Sequence, residues 1–486
     1  MKTYLNYING EWVKPGTERY FPDTNPADTS DVIAQFPDSG VEEMDAAVKA
    51  ARAALPAWRA LTGAQRGAFL YKAANILERR LDEVAAALTR EEGKMLFESK
   101  GETNRGVVIL RYYAGEGMHG IGDVLPSAMN AKTLVLTTRV PVGVAGLITP
   151  WNFPVAIPLW KAAPALVYGN TVVLKPAALA PLVASLIAEC FAEAGLPPGV
   201  FNLVHGQGRK VGQALVDHPF VNAISFTGSC EVGKRIGQSC SARGAKYQLE
   251  MGGKNPIICL EDADLNQAVD LTISGAMRSA GHKCTATSRA IVVDSVCEEF
   301  SRRLVEKVKA LKIGPGTDPD AYFGPVVSEG QMLSILEYIA RGKTEGAKLL
   351  CGGERLKGGI CDKGYYVAPT VFGEVHPKMT IAQEEIFGPV LAIIRVKDFD
   401  EAIQVGNDVQ FGLSASLFTR NLNRALDYVQ QIEAGLIRVN GETAGVEPQA
   451  PFGGMKGSSS YSREQGQAAK EFFTQVKTVY LDRAAS

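Results

Sequence analysis

Between residues 144 and 250, short apolar runs alternate with segments of helical periodicity, and this alternation constrains the fold more than any other feature. The runs that predict strands are Val144–Ile148, Thr171–Leu174, Phe201–Val204, Ala223–Phe226 and Tyr247–Leu249. The segments that predict helices are about 158–168, 181–194, 209–217 and 230–241. Parallel strands need a crossover back to the same end of the sheet, and a helix usually supplies it. The pattern therefore predicts an α/β fold with a doubly wound sheet.

A second series of the same kind begins at Pro256–Leu260. It continues with a helix over Leu265–Ala280, a strand at Ala290–Val293 and a helix over Cys297–Leu311, and further units run to about Val439. With 486 residues, the chain exceeds the size at which a single core stops growing, about 250–300 residues. Two Rossmann-like domains are predicted, with a boundary near Gly252-Gly253.

Three further segments complete the predicted architecture. Residues 42–92 have the periodicity of two long amphipathic helices, and Thr133–Val140 alternates in the manner of a strand. The tail, Phe472–Tyr480, also predicts a strand. An exposed strand edge of this kind invites pairing with another element or another subunit.

The composition excludes several classes of partner. Lys and Arg total 51 against 52 acidic residues, so a net charge of −1 provides no attraction for nucleic acid or an anionic membrane. The N-terminal residues lack the pattern of a signal peptide, and no apolar stretch of about 18 residues is present. The eight cysteines are too few for a disulfide framework, and no Cys/His cluster has zinc-site spacing. A cytoplasmic protein without a metal site is predicted.

Cys284 and Glu250 are the residues that most directly indicate a chemistry. Cys284 follows an apolar helical stretch and Glu250 follows the last strand of the first series, so they lie on opposite sides of an expected domain interface. A thiol can bond to a carbonyl carbon, and a carboxylate can activate the water that later breaks that bond. His282 suggests a Cys–His hydrolase instead, but residues so near in one short segment rarely face each other. The pair favours acyl-thioester chemistry.

Two glycine-containing segments are candidates for a dinucleotide site. His205–Gly212 follows a strand and opens a helix, but its spacing, G-x-G-x-x-x-G, is one residue longer than the usual fingerprint. In Phe226–Gly233 a strand ends at Gly228-Ser229 and a helix begins, so free backbone N–H groups face an anion. The simpler interpretation of the second segment is a strand-turn-helix joint capped by Ser229.

Two polar residues follow neighbouring strands at the edge where ligands bind. Asn152 lies in Thr149–Pro154, where two prolines stiffen the loop, and a rigid amide there can donate to a developing oxyanion. Lys175 ends the next strand on the same edge, where it can bind hydroxyl or phosphate groups. Each also has a simpler interpretation, since asparagine is common in turns and lysine is usually solvated.

Taken together, the order and spacing of these segments resemble the aldehyde dehydrogenase superfamily over nearly the whole chain. The resemblance implies an NAD(P)-binding domain at 1–122 and 142–252 and a catalytic domain at 253–453. It also implies a bridging element at 123–141 and 466–486, which docks onto a sister subunit in a homodimer or a dimer-of-dimers tetramer. The implied reaction is oxidation of a small aldehyde to the carboxylic acid through a thiohemiacetal and a thioester of Cys284.

The resemblance also implies residue roles. Cys284 is the nucleophile, Asn152 the oxyanion donor and Glu250 the base for deacylation. Lys175 matches the lysine that binds the adenosine ribose, and Glu385 belongs to the nicotinamide-ribose site. The implied cofactor contacts are Ile148, Pro150, Trp151, Lys175, Ala178, Gly208, Arg209, Gly212, Phe226, Thr227, Gly228, Ser229, Val232, Met251, Gly252, Glu385 and Phe387.

Ala178 departs from the pattern of NAD-preferring members, many of which have glutamate three residues after the lysine. Without that carboxylate a 2′-phosphate is not repelled, and Lys175 or Arg209 can pair with it. We therefore expect NADP or NAD as the cofactor, with NADP accepted and a preference for NADP left open.

Segments 281–289 and 457–466 look like those of the 2-oxoglutarate semialdehyde (2,5-dioxopentanoate) dehydrogenases. Arg278 and Ser458 are the implied clamp for a carboxylate at the far end of the substrate, although each can equally be structural. Trp160 stands where succinate semialdehyde dehydrogenases commonly have arginine, and an aromatic residue there favours an apolar aldehyde. The expected substrate is a small ω-carboxylated semialdehyde such as 2-oxoglutarate semialdehyde. Succinate semialdehyde, a broad range of aldehydes and a cofactor-free thiol hydrolase or acyltransferase stay open as alternatives.

Overall fold

In the computed structural model, which describes residues 1–483, the chain forms two seven-stranded sheets and three smaller ones. Its strands are β1 (Asn6–Ile8), β2 (Glu11–Val13), β3 (Tyr20–Thr24), β4 (Val32–Pro37), β5 (Val124–Leu125), β6 (Leu134–Pro141), β7 (Val144–Ile148), β8 (Thr171–Lys175), β9 (Phe201–Leu203), β10 (Ala223–Thr227), β11 (Lys246–Glu250), β12 (Asn255–Cys259), β13 (Thr287–Val293), β14 (Lys348–Cys351), β15 (Thr370–Gly373), β16 (Val390–Val396), β17 (Phe411–Gly412), β18 (Ser414–Phe418), β19 (Leu436–Val439), β20 (Met455–Lys456) and β21 (Thr474–Leu481). Its α-helices are α1 (Val41–Ala60), α2 (Gly63–Arg79), α3 (Leu81–Glu92), α4 (Leu96–Glu116), α5 (Ala156–Val167), α6 (Pro181–Glu193), α7 (Gln213–Asp217), α8 (Cys230–Ala242), α9 (Leu265–Met277), α10 (Asp294–Lys309), α11 (Glu329–Thr344), α12 (Thr380–Gln383), α13 (Phe399–Asn407), α14 (Leu422–Gln431) and α15 (Ala468–Phe473). The predicted α/β fold with two Rossmann-like domains and a small β element is confirmed.

The first large sheet brings the predicted cofactor residues to one edge. Its order is β11-β10-β7-β8-β9-β1-β2, in which β7 to β11 are parallel and β1 and β2 are antiparallel additions. The register pairs Ile148 with Lys175 and Thr227 with Glu250 at the ends of their strands. These residues therefore share the carboxyl edge, where open α/β sheets bind ligands.

The second large sheet faces that edge with its amino ends. Its order is β14-β15-β16-β13-β12-β18-β19, with only β14 antiparallel among these strands. The chain passes from β11 to β12 through Met251–Lys254, so the carboxyl edge of one sheet meets the amino edge of the other. Cys284 lies just before β13, and Asn255 at the start of β12 donates from Nδ2 to the Cys284 carbonyl oxygen over 2.8 Å. The site is therefore built where the two sheets meet.

The third sheet joins the C-terminal tail to residues 124–141. β21 pairs antiparallel with β6 in a continuous register from Thr474↔Pro141 to Leu481↔Leu134, and β5 covers the other side of β6. The predicted tail strand is confirmed, although a short helix, α15, precedes it. The last three residues of the predicted bridging range 466–486 lie outside the described residues.

The N-terminal helical region differs from the prediction. The periodicity of residues 42–92 predicts two helices, but the chain forms three, with a break at Arg80. Thr62 caps α2 and forms a capping box, because its Oγ1 accepts the Gln65 N–H and the Gln65 side chain accepts the Thr62 N–H. Arg80 is neither glycine nor proline, so the periodicity continues across the break without a stop signal.

Two further differences lie close to the candidate site. Helix α4 is absent from the prediction because buried polar residues, among them Ser99, Glu102 and Thr103, interrupt its apolar stripe. The helix predicted over Leu265–Ala280 ends at Met277, since Ser279 and Ala280 adopt left-handed backbone conformations.

Helix α5 shows how deeply the interior is enclosed. Every residue from Ala156 to Val167 is buried, including Lys161. Apolar as α5 is, no helix within residues 1–483 has the length and apolarity needed to cross a membrane. Within the same residues, no group of three or more His, Cys, Asp or Glu side chains is arranged to hold a metal ion.

Candidate active site

A strained turn delivers Cys284. Ser279, Ala280 and Gly281 have φ of 53°, 50° and 73°, a region that costs a non-glycine residue about 1–3 kcal/mol. A Cβ on Gly281 would lie 2.2 Å from the Gly388 carbonyl oxygen, so only glycine fits there. The Ser279 hydroxyl donates to Glu98 over 2.9 Å and anchors the turn to α4. Strain held by its surroundings is typical of functional sites, and here it sets the direction of the Cys284 segment.

The Cys284 thiol is neutral in this arrangement. Burial, followed by the nearby carboxylates of Glu385 and Glu250, raises the pKa of Cys284 to about 12, against a small opposing effect of backbone N–H groups. At neutral pH little thiolate is present. Nucleophilic attack by this sulfur therefore requires a group that accepts its proton.

Asn152 is held from two sides. Its side-chain Nδ2 donates to the His282 carbonyl oxygen over 2.8 Å, and its backbone carbonyl oxygen accepts from Lys94 Nζ over 2.6 Å. Lys94 is buried and pairs with Glu102 of α4 at 2.7 Å. Glu102 also accepts the N–H groups of Val155 and Ala156, at the start of α5. The amide is thus fixed before any ligand arrives, and its second N–H stays available for an acceptor.

Glu250 is enclosed behind the turn that follows β11. It is 1% exposed, its Oε2 accepts from the Ser459 hydroxyl, and its Oε1 has no partner among residues 1–483. Burial, followed by repulsion from Glu464, raises the pKa of Glu250 well above its ordinary value. Both effects favour the neutral carboxyl group over the carboxylate in this position.

A buried polar network backs Glu250. Glu464 forms an ion pair with Lys161 and accepts from Trp160 Nε1 over 2.8 Å and from the Ser225 hydroxyl over 3.0 Å. Both charged side chains are almost fully buried, with 1% exposure for Lys161 and 2% for Glu464. Buried charges of this kind are tolerated only when paired and hydrogen-bonded. The network keeps a second carboxylate near Glu250 without solvent.

A cavity of about 220 Å³, in part open to solvent, connects Cys284 with the carboxyl edge of the first sheet. The Glu385 carboxylate lies against Gly252, where a Cβ would come within 2.0 Å of Oε2, and accepts the Gly253 N–H over 3.0 Å. Burial raises the pKa of Glu385 to about 7. The lining residues are Pro150, Trp151, Asn152, Thr227, Gly228, Ser229, Met251, Gly252, Cys284, Gln331, Glu385 and Phe387.

The turn at Gly228-Ser229 leaves donors free for an anion. Ser229 precedes α8 but makes no side-chain hydrogen bond to cap it, so the interpretation of a serine-capped joint does not hold. The N–H groups of the first turn of α8 therefore face the cavity side without a protein cap. Phe226 fills the space under Gly228, where a Cβ would lie 2.5 Å from the Phe226 ring.

Lys175 forms a second part of the same edge. It is 5% exposed, and burial lowers its pKa to about 8. Its side chain lies beside Gly208 and Gly212, where a Cβ on Gly208 would come 3.6 Å from Nζ. A buried cation with hydrogen-bonding capacity to spare, next to glycine backbone and uncapped N–H groups, fits a dinucleotide.

The G-x-G-x-x-x-G segment and its surroundings differ in form from the usual fingerprint. Gly208–Gly212 forms one turn of π-helix before α7, which accommodates the extra residue. Arg209 is exposed, and Ala178 is half-buried in the turn after β8. Ile148 ends β7 in the core, and Val232 is 44% exposed on α8. The structure brings Lys175, Gly208 and Gly212 together, but these residues do not line the cavity at Cys284.

The three predicted substrate residues are engaged in protein contacts. Arg278 donates from Nη1 to the Tyr322 carbonyl oxygen over 2.9 Å and lies 3.9 Å over the Tyr322 ring. Ser458 is fully buried, and its hydroxyl accepts the Gly412 N–H over 3.0 Å. Trp160 is also buried, and it binds Glu464 as described above. None of the three lines the cavity at Cys284.

Sequence reasoning missed several residues of the site. Gln331 lines the cavity and fixes Phe387 by donating to its carbonyl oxygen over 2.9 Å. Lys94, Ser459 and Glu464 support Asn152 and Glu250 from distant parts of the chain. A signal existed for Lys161, because a lysine inside a wholly apolar helix needs a buried partner. No local motif marks the others.

Comparison with known proteins agrees with this geometry. Residues 12–479 match the family described as "Aldehyde dehydrogenase family". An alpha-ketoglutaric semialdehyde dehydrogenase of Bacillus subtilis is 57% identical over 479 residues, covering 99% of this chain and 98% of that protein. An alpha-ketoglutarate semialdehyde dehydrogenase of Haloferax volcanii is 46% identical, covering 98% of each chain. The crystal structure of an NAD-dependent aldehyde dehydrogenase from Sinorhizobium meliloti superposes with a TM-score of 0.96 at 35% identity, covering 100% of this chain and 96% of that one.

Proposed function

The chain belongs to the aldehyde dehydrogenase family, and on that premise we propose that it oxidises 2-oxoglutarate semialdehyde to 2-oxoglutarate. The observation that carries the proposal is the convergence of Cys284, Asn152 and an uncapped helix start on one cavity. The names of the relatives from Bacillus subtilis and Haloferax volcanii support the substrate. The cofactor is a nicotinamide dinucleotide, which supplies a hydride acceptor when bound.

In the proposed reaction, Cys284 Sγ forms a bond to the aldehyde carbon, and its proton passes to solvent water, which reaches the partly open cavity. The aldehyde oxygen becomes an oxyanion, which the free N–H of Asn152 stabilises, and one such donor lowers the barrier by about 2.7–4 kcal/mol. The hydride then leaves the same carbon, and a thioester remains on Cys284. Because Lys94 and His282 fix Asn152 beforehand, this donor needs no reorganisation during the step.

Hydrolysis of the thioester requires Glu250. A water molecule adds to the thioester carbon as Glu250 takes its proton, and collapse releases the carboxylic acid and the thiol. In the described position Glu250 is buried against Ser459 and its pKa is raised by burial, so a movement towards water would lower the pKa and favour its action as a base. We propose that this enclosed position is the resting state during hydride transfer, when water at the thiohemiacetal is unwanted.

We further propose that NADP is accepted beside NAD. Ala178 places no carboxylate near Lys175, and the exposed Arg209 is close in sequence to Gly208. A 2′-phosphate would meet two cations there and no acid at position 178.

A homo-oligomer and a cytosolic location complete the proposal. The sheet β21-β6-β5 carries exposed apolar residues, among them Val476, Tyr480 and Leu481, which favour burial against a second copy. The eight cysteines are unpaired, as expected in a reducing compartment. The exposed sheet is consistent with a dimer or a dimer of dimers.

The test is steady-state oxidation followed at 340 nm with both cofactors. The panel holds 2,5-dioxopentanoate, succinate semialdehyde, 5-oxopentanoate, pentanal and benzaldehyde. The proposal predicts the highest kcat/KM for 2,5-dioxopentanoate and measurable turnover with NADP. A higher kcat/KM for pentanal or benzaldehyde would overturn the substrate assignment. Turnover of thioesters without any absorbance change from aldehydes would support a thiol hydrolase instead.

A further inference from the structure

Arg105 is a partly buried cation that lacks an acidic partner. It lies on α4 and forms no ion pair with any carboxylate in residues 1–483, whereas Arg111 on the same helix pairs with Glu78 at the surface. Its contact within hydrogen-bond range is a long one, 3.5 Å from Nη2 to Gln465 Oε1. Burial lowers the pKa of Arg105, while Glu447 and Glu102 favour its charged form. A guanidinium in such a place has donors to spare.

Gln465 is a second residue with a donor group that has no hydrogen-bond partner among the described residues. It is fully buried, and its Nε2 has no hydrogen-bond partner among the described residues. Its φ of 60° is a conformation that a glutamine rarely adopts without a constraint. The neighbouring Gly466 holds it in place, because its N–H donates to the Pro448 carbonyl oxygen over 3.0 Å and its carbonyl oxygen accepts from Tyr113 over 3.2 Å. An orphan buried amide donor beside an unpaired arginine indicates a polar ligand.

The segment 443–453 connects this pair to the reaction centre. At one end Thr443 Oγ1 donates to the carbonyl oxygen of Thr285, next to Cys284, over 2.7 Å. At the other end a Cβ on Gly453 would lie 2.9 Å from Glu250 Oε1. Between these ends, Pro448 binds the residue that follows Gln465. Arg105 and Gln465 therefore lie along the segment that spans the nucleophile and the base.

Helix α4 places Arg105 on the same side as Asn152. One turn before Arg105, Glu102 binds the backbone at the start of α5 and the Lys94 that holds Asn152. One residue after Arg105, Gly106 packs against Val155 and Leu159 of α5. Neither Arg105 nor Gln465 lines the cavity assigned to the cofactor. The two donors thus lie outside the cofactor cavity, next to the helix and the segment that contact the surroundings of Asn152, Cys284 and Glu250.

We propose that Arg105 and Gln465 bind the 2-oxo acid end of the substrate. Arg105 pairs with the carboxylate, for which its planar fork is suited, and Gln465 Nε2 donates to the 2-oxo oxygen. The inference rests on the proposed function, because it takes the oxo acid aldehyde as the substrate.

This assignment replaces the clamp that the sequence predicts. Arg278 is already fixed between the rings of Tyr322 and Phe97, with its guanidinium 3.9 Å and 4.8 Å from their centroids. Ser458 uses its hydroxyl to hold the Gly412 backbone. The polar groups of Arg278 and Ser458 are therefore already used in contacts within the protein, whereas Arg105 and Gln465 have unused donors within residues 1–483.

The main experiment compares two aldehydes of equal chain length on each variant. The quantity measured is the ratio of kcat/KM for 2,5-dioxopentanoate to kcat/KM for pentanal, because a partly unfolded preparation lowers both and leaves the ratio unchanged. Arg105→Met is expected to lower this ratio by about 100-fold, since the carboxylate loses its partner in a desolvated site. Arg105→Lys is expected to restore part of it. Arg111→Met, a surface arginine of the same helix, is the matched control and leaves the ratio unchanged.

A second comparison isolates Gln465. Gln465→Leu keeps the shape of the side chain but removes the donor, so the ratio of kcat/KM for 2,5-dioxopentanoate to that for 5-oxopentanoate, which lacks the 2-oxo group, should fall about tenfold. The ratio of kcat/KM for 5-oxopentanoate to kcat/KM for pentanal depends on the carboxylate and not on the 2-oxo group. Gln465→Leu should therefore change this ratio less than Arg105→Met does.

The outcomes separate the inference from the function on which it rests. A wild-type enzyme that does not prefer 2,5-dioxopentanoate over pentanal would overturn the substrate assignment and the inference with it. A wild-type preference that survives in Arg105→Met overturns the inference alone. If Arg278→Met abolishes the preference and Arg105→Met does not, the clamp lies at Arg278.

Discussion

On one side of Cys284, the cofactor cavity is lined by residues that follow strand ends and glycine turns, whereas on the other side the groups around Glu250 come from α4, α5 and the C-terminal segment. Thr227, Gly228 and Ser229 are consecutive in the chain and lie together in space. Lys161 and Glu464 are 303 residues apart in sequence, yet they form one buried pair. Backbone geometry builds the first side, and long-range side-chain pairing builds the second.

The largest effect is expected from a variant that breaks the buried pair of Lys161 and Glu464 on the second side. Lys161→Met leaves Glu464 charged and unpaired in the interior, and such a loss lowers the free energy of unfolding by about 3–5 kcal/mol. Urea unfolding monitored by circular dichroism measures the free energy of unfolding of the variant and of the wild type. Lys49→Met, which removes an exposed pair with Asp45, is the control and should change the free energy of unfolding little. Equal effects of the two variants would show that burial of the Lys161 pair does not matter.

The next prediction concerns the residue where the two sides meet. Asn152→Ala removes the oxyanion donor and should lower kcat by about 100- to 1,000-fold, with a smaller change in the Kd of the cofactor. Stopped-flow kinetics of the first turnover locates the loss in the hydride-transfer step. A loss confined to cofactor binding would mean that Asn152 shapes the cavity rather than the reaction.

The difference between the sides also explains what the sequence predicts well. The strands β7 to β11 and the residues Asn152, Lys175 and Gly228 follow from local periodicity and from the rule that ligands bind at the carboxyl edge. The partners of Glu250 could not be predicted, because Ser459 and Glu464 meet it only through tertiary packing. Helix α4 could not be predicted for the same reason. Its residue Glu102 is polar, but it is buried because it pairs with Lys94, which lies outside the helix.

A smaller effect is expected on the cofactor side. Ala178→Glu places a carboxylate near Lys175, so the ratio of kcat/KM for NADP to kcat/KM for NAD should fall by about tenfold, one pairwise charge effect. Leu179→Glu, at the exposed neighbouring position, is the matched control. An unchanged ratio in Ala178→Glu would place the 2′-phosphate away from this turn.

The smallest effect is expected in an alkylation experiment that tests the pKa of Cys284. Burial, followed by Glu385 and Glu250, raises this pKa to about 12. Since a raised pKa means less thiolate, alkylation of Cys284 by iodoacetamide without cofactor should be slow at pH 7 and rise about tenfold per pH unit to pH 9 without a plateau. Glu385→Gln removes one negative charge, lowers the pKa of Cys284 and should speed alkylation at pH 8 by less than about tenfold. Peptide mass spectrometry follows the site. A plateau below pH 8 would contradict a neutral resting thiol.

The central claim is that the substrate passes through a thioester on Cys284 that Glu250 helps to hydrolyse. Glu250→Gln should transfer one hydride per subunit in a rapid burst and then stop. After mixing with 2,5-dioxopentanoate and NADP, intact-protein mass spectrometry should find the mass of one acyl group, and peptide mass spectrometry should assign it to the peptide that contains Cys284. An acyl group on another residue, or continued turnover of Glu250→Gln at the wild-type rate with no adduct, would contradict the account.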